Sequence, residues 1–260
     1  MRPRLLSGIY LSVAFAASVL AAACGHGAGA PGTAGTGAIK VLVVTGGHGF
    51  QAEPFFKLFD DPAFSVTAAA QGAAAEVYDR ADLAAFDVVV LYDSPNEITE
   101  LEKERFLSLF SRGTGLLVLH HALLSFQQWP AYERVVGGKY LLDDERVGDQ
   151  LTRESTYLAR AEIAVSVEHP PRDGSPVESL ADFTLTDELY QGVRMSADDV
   201  PLLSTTRAGT REVLAWTRRE GAARVVTTLL GHGPSAYENP SFRRFVANSI
   251  RYVAKKNSLP

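Results

Sequence analysis

The chain alternates short, uniformly apolar runs with longer stretches in which apolar residues recur at helical spacing. Ile39 to Thr45, Phe86 to Tyr92 and Gly115 to Leu119 are runs of the first kind. They are too short for buried helices and too evenly apolar for strands with one wet face, so they predict parallel strands covered on both sides. Phe64 to Ala69 is a further strand, and a helix is predicted from Glu53 to Asp60. A second helix follows Thr99, which forms a capping box with Glu102 and sets Leu101, Phe106, Leu109 and Phe110 on one half of the helix. Gly113 and Gly115 end that helix. Strand and helix alternate with short links, which is the pattern of a doubly wound parallel sheet.

Beyond Phe126 the pattern changes. Trp129, Tyr132, Tyr140 and the acidic run Asp143, Asp144 and Glu145 belong to helix and irregular structure up to about Gln150. Ile163 to Glu168 alternates apolar and polar, and Val200 to Thr206 and Val213 to Thr217 read as strands of a small antiparallel addition. Arg224 to Leu230 is a last apolar strand, and Ser241 to Lys255 a closing helix anchored by Phe245, Ile250 and Val253.

The beginning of the chain is of another kind. Arg2 and Arg4 precede an apolar stretch from Leu5 to Leu20, and Ala21, Ala22 and Ala23 lead to Cys24, the one cysteine among 260 residues. This reads as an export signal over 1–24. Its end is similar to the lipobox of bacterial lipoproteins, with Ala21 where leucine is usual, so Cys24 is the expected lipidation point and the membrane is reached only through that anchor. Residues 25–38 form a Gly- and Ala-rich tether, and 39–256 a single α/β domain. A lone cysteine ahead of the domain excludes disulfides within it, a cysteine metal cluster and a thiol nucleophile. A net charge of −5 argues against nucleic acid as a partner.

Open α/β sheets bind ligands outside the carboxyl ends of their strands. Four predicted strands end there in ionisable residues: His48, Asp93, His120 with His121, and His232, so four of the six histidines of the chain meet one edge. Gly47-His48-Gly49-Phe50-Gln51-Ala52 fits G-x-G-x-x-A formally, but the second strand runs into Ala69-Ala70-Gln71 with no acid to hold a ribose. The turn after Leu119 carries His120-His121 where a nucleophile elbow would carry serine or cysteine. What is left is a polar or metal site of His48, His120, His121 and His232 with a carboxylate from Asp93, Asp187 or Glu188. Imidazole and carboxylate suit a divalent metal such as zinc or manganese, with His48, His120 and His232 as the expected ligands; the same groups without metal suit general acid and base work.

Several blocks of sequence are similar to the ThuA-like family, named for a trehalose-utilisation protein, over roughly Lys40 to Ala254. They are Val43 to Phe50 with Thr45-Gly46-Gly47-His48, Leu119-His120-His121-Ala122, Trp129-Pro130-Ala131-Tyr132-Glu133, His169-Pro170, Thr186-Asp187-Glu188-Leu189-Tyr190, Leu230-Gly231-His232 and Asn239-Pro240-Ser241-Phe242. The resemblance implies a flavodoxin-like fold of the class I glutamine amidotransferase type. It also implies a small-molecule carbohydrate as ligand, in disaccharide or keto-sugar metabolism. The expected roles are proton transfer by His120, His121 and Glu188, and substrate contact by Gly47, His48, Asp93, Asp187, Tyr190, His232 and Tyr237. A non-catalytic carbohydrate-binding or scaffold module is the competing class.

Overall fold

The computed structural model describes residues 37–71, 76–147, 149–168, 174–207 and 209–255. The proposed export segment with Cys24, the tether up to residue 36, and His169-Pro170 lie outside the described residues.

The first strands are β1 (Ile39–Gly46), β2 (Phe64–Gln71), β3 (Val88–Asp93) and β4 (Gly115–Leu119). Three short ones follow, β5 (Gly138–Lys139), β6 (Glu145–Val147) and β7 (Gln150–Thr152), and then β8 (Thr156–Val167), β9 (Phe183–Gln191) and β10 (Arg194–Met195). The last are β11 (Val200–Arg207), β12 (Thr210–Glu220) and β13 (Ala223–Thr228). The main sheet runs β2-β1-β3-β4-β13-β12-β11-β8-β9. Its β2-to-β13 half is parallel and the rest antiparallel. The fold is mixed α/β, as the alternating pattern predicts, and the antiparallel part starts earlier than Ile163 and includes all of β9.

Side chains of the central strands leave on alternate faces. Val41, Val43, Val88, Val90 and Leu117 pack into one core, and Leu42, Val44, Val89, Leu91 and Leu116 into another on the opposite face. Both faces are therefore dry, which explains the unbroken apolar runs. Each such side chain contributes about 1.5–3 kcal/mol on burial.

The helices are α1 (Ala52–Phe56), α2 (Glu100–Ser111), α3 (Pro130–Val136), α4 (Pro234–Tyr237) and α5 (Pro240–Ala254). The capping box forms: Thr99 Oγ1 accepts from the Glu102 amide, and the Glu102 carboxylate accepts from the Thr99 N–H at 2.8 Å. It draws Glu102 inward, so Glu102 is buried and Leu101, expected on the packed half, is exposed. Gly115 begins β4 directly under α5, where a Cβ would strike the Val253 backbone; only glycine lets the closing helix lie that close. No helix among the described residues is long and apolar enough to cross a membrane.

Candidate active site

Strand β4 ends at Leu119, and the next residue, His120, turns sharply with φ of +43°, opening a short 3-10 turn over His120–Leu124. This is the strained strand-to-helix elbow that places a side chain above a sheet edge. His120 is fully buried there. Its Nδ1–H donates to the Leu229 carbonyl at 2.5 Å, and its ring stacks on Tyr190 with centroids 4.3 Å apart. A carbonyl only accepts, so Nδ1 carries the proton and Nε2 faces the site.

His232 follows β13 and is held by its backbone from both sides. The Asp187 carboxylate accepts from the N–H groups of Gly231 (2.6 Å) and His232 (3.0 Å). The Tyr92 and Tyr237 hydroxyls lie 3.1 and 2.9 Å from the His232 carbonyl and meet each other at 2.5 Å. The imidazole itself stays partly exposed, with Nδ1 3.2 Å from His120 Nε2. Glu188 Oε1 completes a triangle, 3.3 Å from His120 Nε2 and 3.6 Å from His232 Nδ1. Asp187 and Glu188 are consecutive on β9, so they leave on opposite faces: Asp187 sits with Leu185 and Leu189, and Glu188 with Tyr190. Pairing with β8 jumps from Leu158–Leu189 to Ala161–Asp187, which puts a bulge of Ala159 and Arg160 opposite Glu188.

His121 adds a third imidazole; one nitrogen each from His120, His121 and His232 lies within 4.8 Å of the others. Burial, with the neighbouring imidazoles, pushes the His121 ring down to about 2. Burial raises the Glu188 carboxyl, but its bonds and charge contacts with His120, His232 and Tyr190 outweigh that and leave it below its ordinary value. The Asp187 carboxyl is raised by burial, against the two backbone donors.

The expected site residues divide into those that meet and those that do not. His120, His121, His232 and Glu188 come together. His48 packs against His121 at 3.9 Å between centroids, but its Nε2 lies 3.2 Å from the Tyr92 carbonyl and its Nδ1 3.4 Å from that of Gly49. With its nitrogens on the backbone, His48 is outside the set of ligating atoms expected for it, and His121 is in its place. Gly47 is an exposed turn with φ of +78°, where a Cβ would lie 2.7 Å from Ser94 Oγ.

Asp93 is corrected most. As the residue after Tyr92 on β3 it leaves the other face, is buried, and accepts a hydrogen bond from Gln71 Nε2. Its neighbours there are the phenols of Tyr78 and Tyr132, and burial pushes its carboxyl up to about 7. Tyr190 and Tyr237, expected against substrate, are both buried, and they brace His120 and His232. Asp187, also expected against substrate, is spent on backbone. Tyr92 was missed by sequence reasoning; its one signal is a polar-tipped residue near the end of an otherwise aliphatic strand.

His232 opens the site to solvent, while His120 lies behind it. Two hollows of about 590 Å³ lie elsewhere, one between Lys57 and Arg251 and one beside Phe56 and Val66, and neither is lined by an imidazole.

A mostly parallel sheet with an elbow after β4 is the fold of class I glutamine amidotransferase-like proteins, here with histidine at the elbow. Within that group the chain belongs to the ThuA family, described as trehalose utilisation, whose pattern it matches over residues 40–253. Among solved structures it is similar to a ThuA-like protein of Parabacteroides merdae, with 18% identity and a TM-score of 0.69 over 86% of this chain and 92% of that one. A ThuA-like protein of Bacteroides uniformis gives 19% identity and a TM-score of 0.62 over 86% and 95%. PurLQS from Thermotoga maritima shares the fold at 12% identity and a TM-score of 0.50 over 81% and 96%. No curated protein matches the chain.

Proposed function

We propose that this ThuA-family protein acts on a sugar or sugar derivative, a disaccharide or keto-sugar, at the imidazole edge of its sheet. The reading includes export and attachment to a membrane through Cys24. One observation carries it: His120 Nε2, His232 Nδ1 and Glu188 Oε1 converge within 3.6 Å at an edge where His232 remains open to solvent. Everything around them fixes their position, through Asp187, Tyr190, Tyr92 and Tyr237. The family's link to trehalose use supplies the substrate class. At such an edge the Glu188–His232 pair moves a proton to or from a sugar hydroxyl or the carbon beside a keto group. The neutral His121 ring accepts a hydrogen bond from the same ligand.

The test is a screen of disaccharides and their keto derivatives for turnover and for binding, with His232→Ala as control. Turnover that falls in the variant supports the reading. Binding without turnover identifies a carbohydrate-binding module instead, and a sugar turned over equally well by the variant removes the site from the chemistry. For the anchor, labelling with a radioactive fatty acid is expected to mark the wild-type chain and to miss Cys24→Ala; equal labelling rejects it.

A further inference from the structure

The spacing of the three converging atoms carries more than proton transfer. His120 Nδ1 is committed to the Leu229 carbonyl, so a neutral His120 presents a lone pair at Nε2. That lone pair faces Glu188 Oε1 at 3.3 Å, itself an acceptor, and His232 Nδ1 at 3.2 Å. For a neutral His120, where only His232 can bring a hydrogen, at least the Glu188 contact sets lone pair against lone pair. A cation among the three atoms removes the conflict.

We propose that this cation is a divalent transition metal, held by His120 Nε2, His232 Nδ1 and Glu188 Oε1, with a nitrogen of His121 within 4.8 Å of both imidazole ligands. The edges of the triangle are 3.2, 3.3 and 3.6 Å. Ligands about 2.0–2.1 Å from a tetrahedral zinc lie about 3.3–3.4 Å from one another, whereas the right angles of an octahedral ion bring them to about 3.0 Å. The observed edges accommodate the tetrahedral case, and imidazole with carboxylate is a ligand set that suits zinc. A point about 2.0–2.1 Å from all three atoms exists a little out of their plane, as a tetrahedral ion requires.

The surroundings match those of a built metal site. Ligating imidazoles donate their other N–H to a carbonyl or carboxylate, which fixes ring and tautomer; His120 does so to Leu229. The backbone of His232 is clamped at N–H and carbonyl, so the ligand is preorganised before any ion arrives. Three protein ligands with a further position open toward solvent make a site that polarises a bound oxygen. The inference deepens the proposed function by naming what the site carries: with metal held, His232 and Glu188 serve as ligands and not as the proton-transfer pair, and that reading is needed only for the use made of the metal.

The test needs no sugar. The full chain, stripped with chelator, is titrated with zinc alone, and bound metal is counted by mass spectrometry after desalting. Manganese and ferrous iron form separate arms. About one zinc per chain is expected, with affinity reduced beyond the ~100-fold limit of an outer-sphere change in His232→Ala and Glu188→Gln. His48→Gln should keep its zinc. Circular dichroism establishes that each variant is folded; should one fail, the other of the first pair still reports, because His232 and Glu188 stand on separate segments of the chain. Absence of stoichiometric metal in every arm overturns the proposal. Unchanged affinity in both ligand variants, or loss in His48→Gln alone, also overturns the assigned set. Zinc binding without sugar turnover would reject the functional reading and keep the metal; sugar turnover undiminished in chelator-stripped protein would do the reverse.

Discussion

Two polar groups sit at the same edge of one sheet and have opposite environments. Around His232 every backbone polar atom has a partner, from Asp187, Tyr92 and Tyr237, and the side chain looks outward. Around Asp93, three buried atoms have no hydrogen-bond partner among the described residues: Asp93 Oδ1, Gln71 Oε1 and the Tyr78 hydroxyl. The chain invests its hydrogen bonds in the imidazole side and leaves the carboxyl side to raise its own affinity for a proton. Position at a strand end therefore does not make a site; the supporting contacts do.

The sharpest way to break this comparison is activity. His232→Ala is expected to lower turnover of the sugar found in the screen by about 10²–10⁴-fold, the usual worth of a positioned proton-transfer group. Asp93→Asn should leave turnover within about twofold, and an equal loss in both variants, measured as kcat at saturation, would erase the distinction.

Stability separates the two next. Burial raises the folded-state pKa of Asp93 to about 7, whereas the unfolded carboxyl titrates near the ordinary 3.8. Between those values the folded chain holds a proton that the unfolded chain has lost, so stability declines as pH rises through the window. Gln71, Tyr78 and Tyr132 face the group, and none brings a compensating positive charge. Replacing Asp93 by Asn should then stabilise the protein more at pH 8 than at pH 5, by on the order of 2–3 kcal/mol. Urea unfolding at the two pH values reads this directly; an equal gain at both would show that Asp93 ionises freely.

Smaller effects probe the supported side. Asp187→Asn keeps one acceptor but turns an amide N–H toward a backbone N–H, at a cost of about 2 kcal/mol in urea unfolding, together with a rise in KM if His232 shifts. Tyr92→Phe removes the hydroxyl shared with Tyr237 and His232, at about 1 kcal/mol in thermal unfolding. A loss from Tyr92→Phe larger than that from Asp187→Asn would mean that the carbonyl clamp, and not the amide clamp, holds the loop.

Much of the fold was legible because both sheet faces are dry, which makes β1, β3 and β4 continuous apolar words in the sequence. The joint arrival of four histidines at one edge was legible for the same reason: each follows a strand whose end is marked. The parity of side chains at those ends was not. Tyr92 and Asp93 differ by one residue and by a whole face, and nothing in composition says which of them the site receives. Strand β8 was seen only from Ile163, because its first turns carry exposed residues such as Tyr157 on an edge-side ladder with little burial to betray them. With that ladder hidden, the division of Asp187 and Glu188 between backbone support and imidazole contact stayed invisible.

The bulge of Ala159 and Arg160 gives that division a further meaning. It acts as a phase shift in the ladder: before it the strand keeps one count, after it another, and Glu188 stands at the change. Leu158 and Ala161 flank the bulge and face the same core, so the strand carries one residue more than regular alternation needs, and a deletion of one residue there would straighten β8 beside Glu188 while leaving Asp187 and Glu188 on their own faces. The edge is thus shaped by a surplus of length, one residue long, as much as by the side chains that meet there.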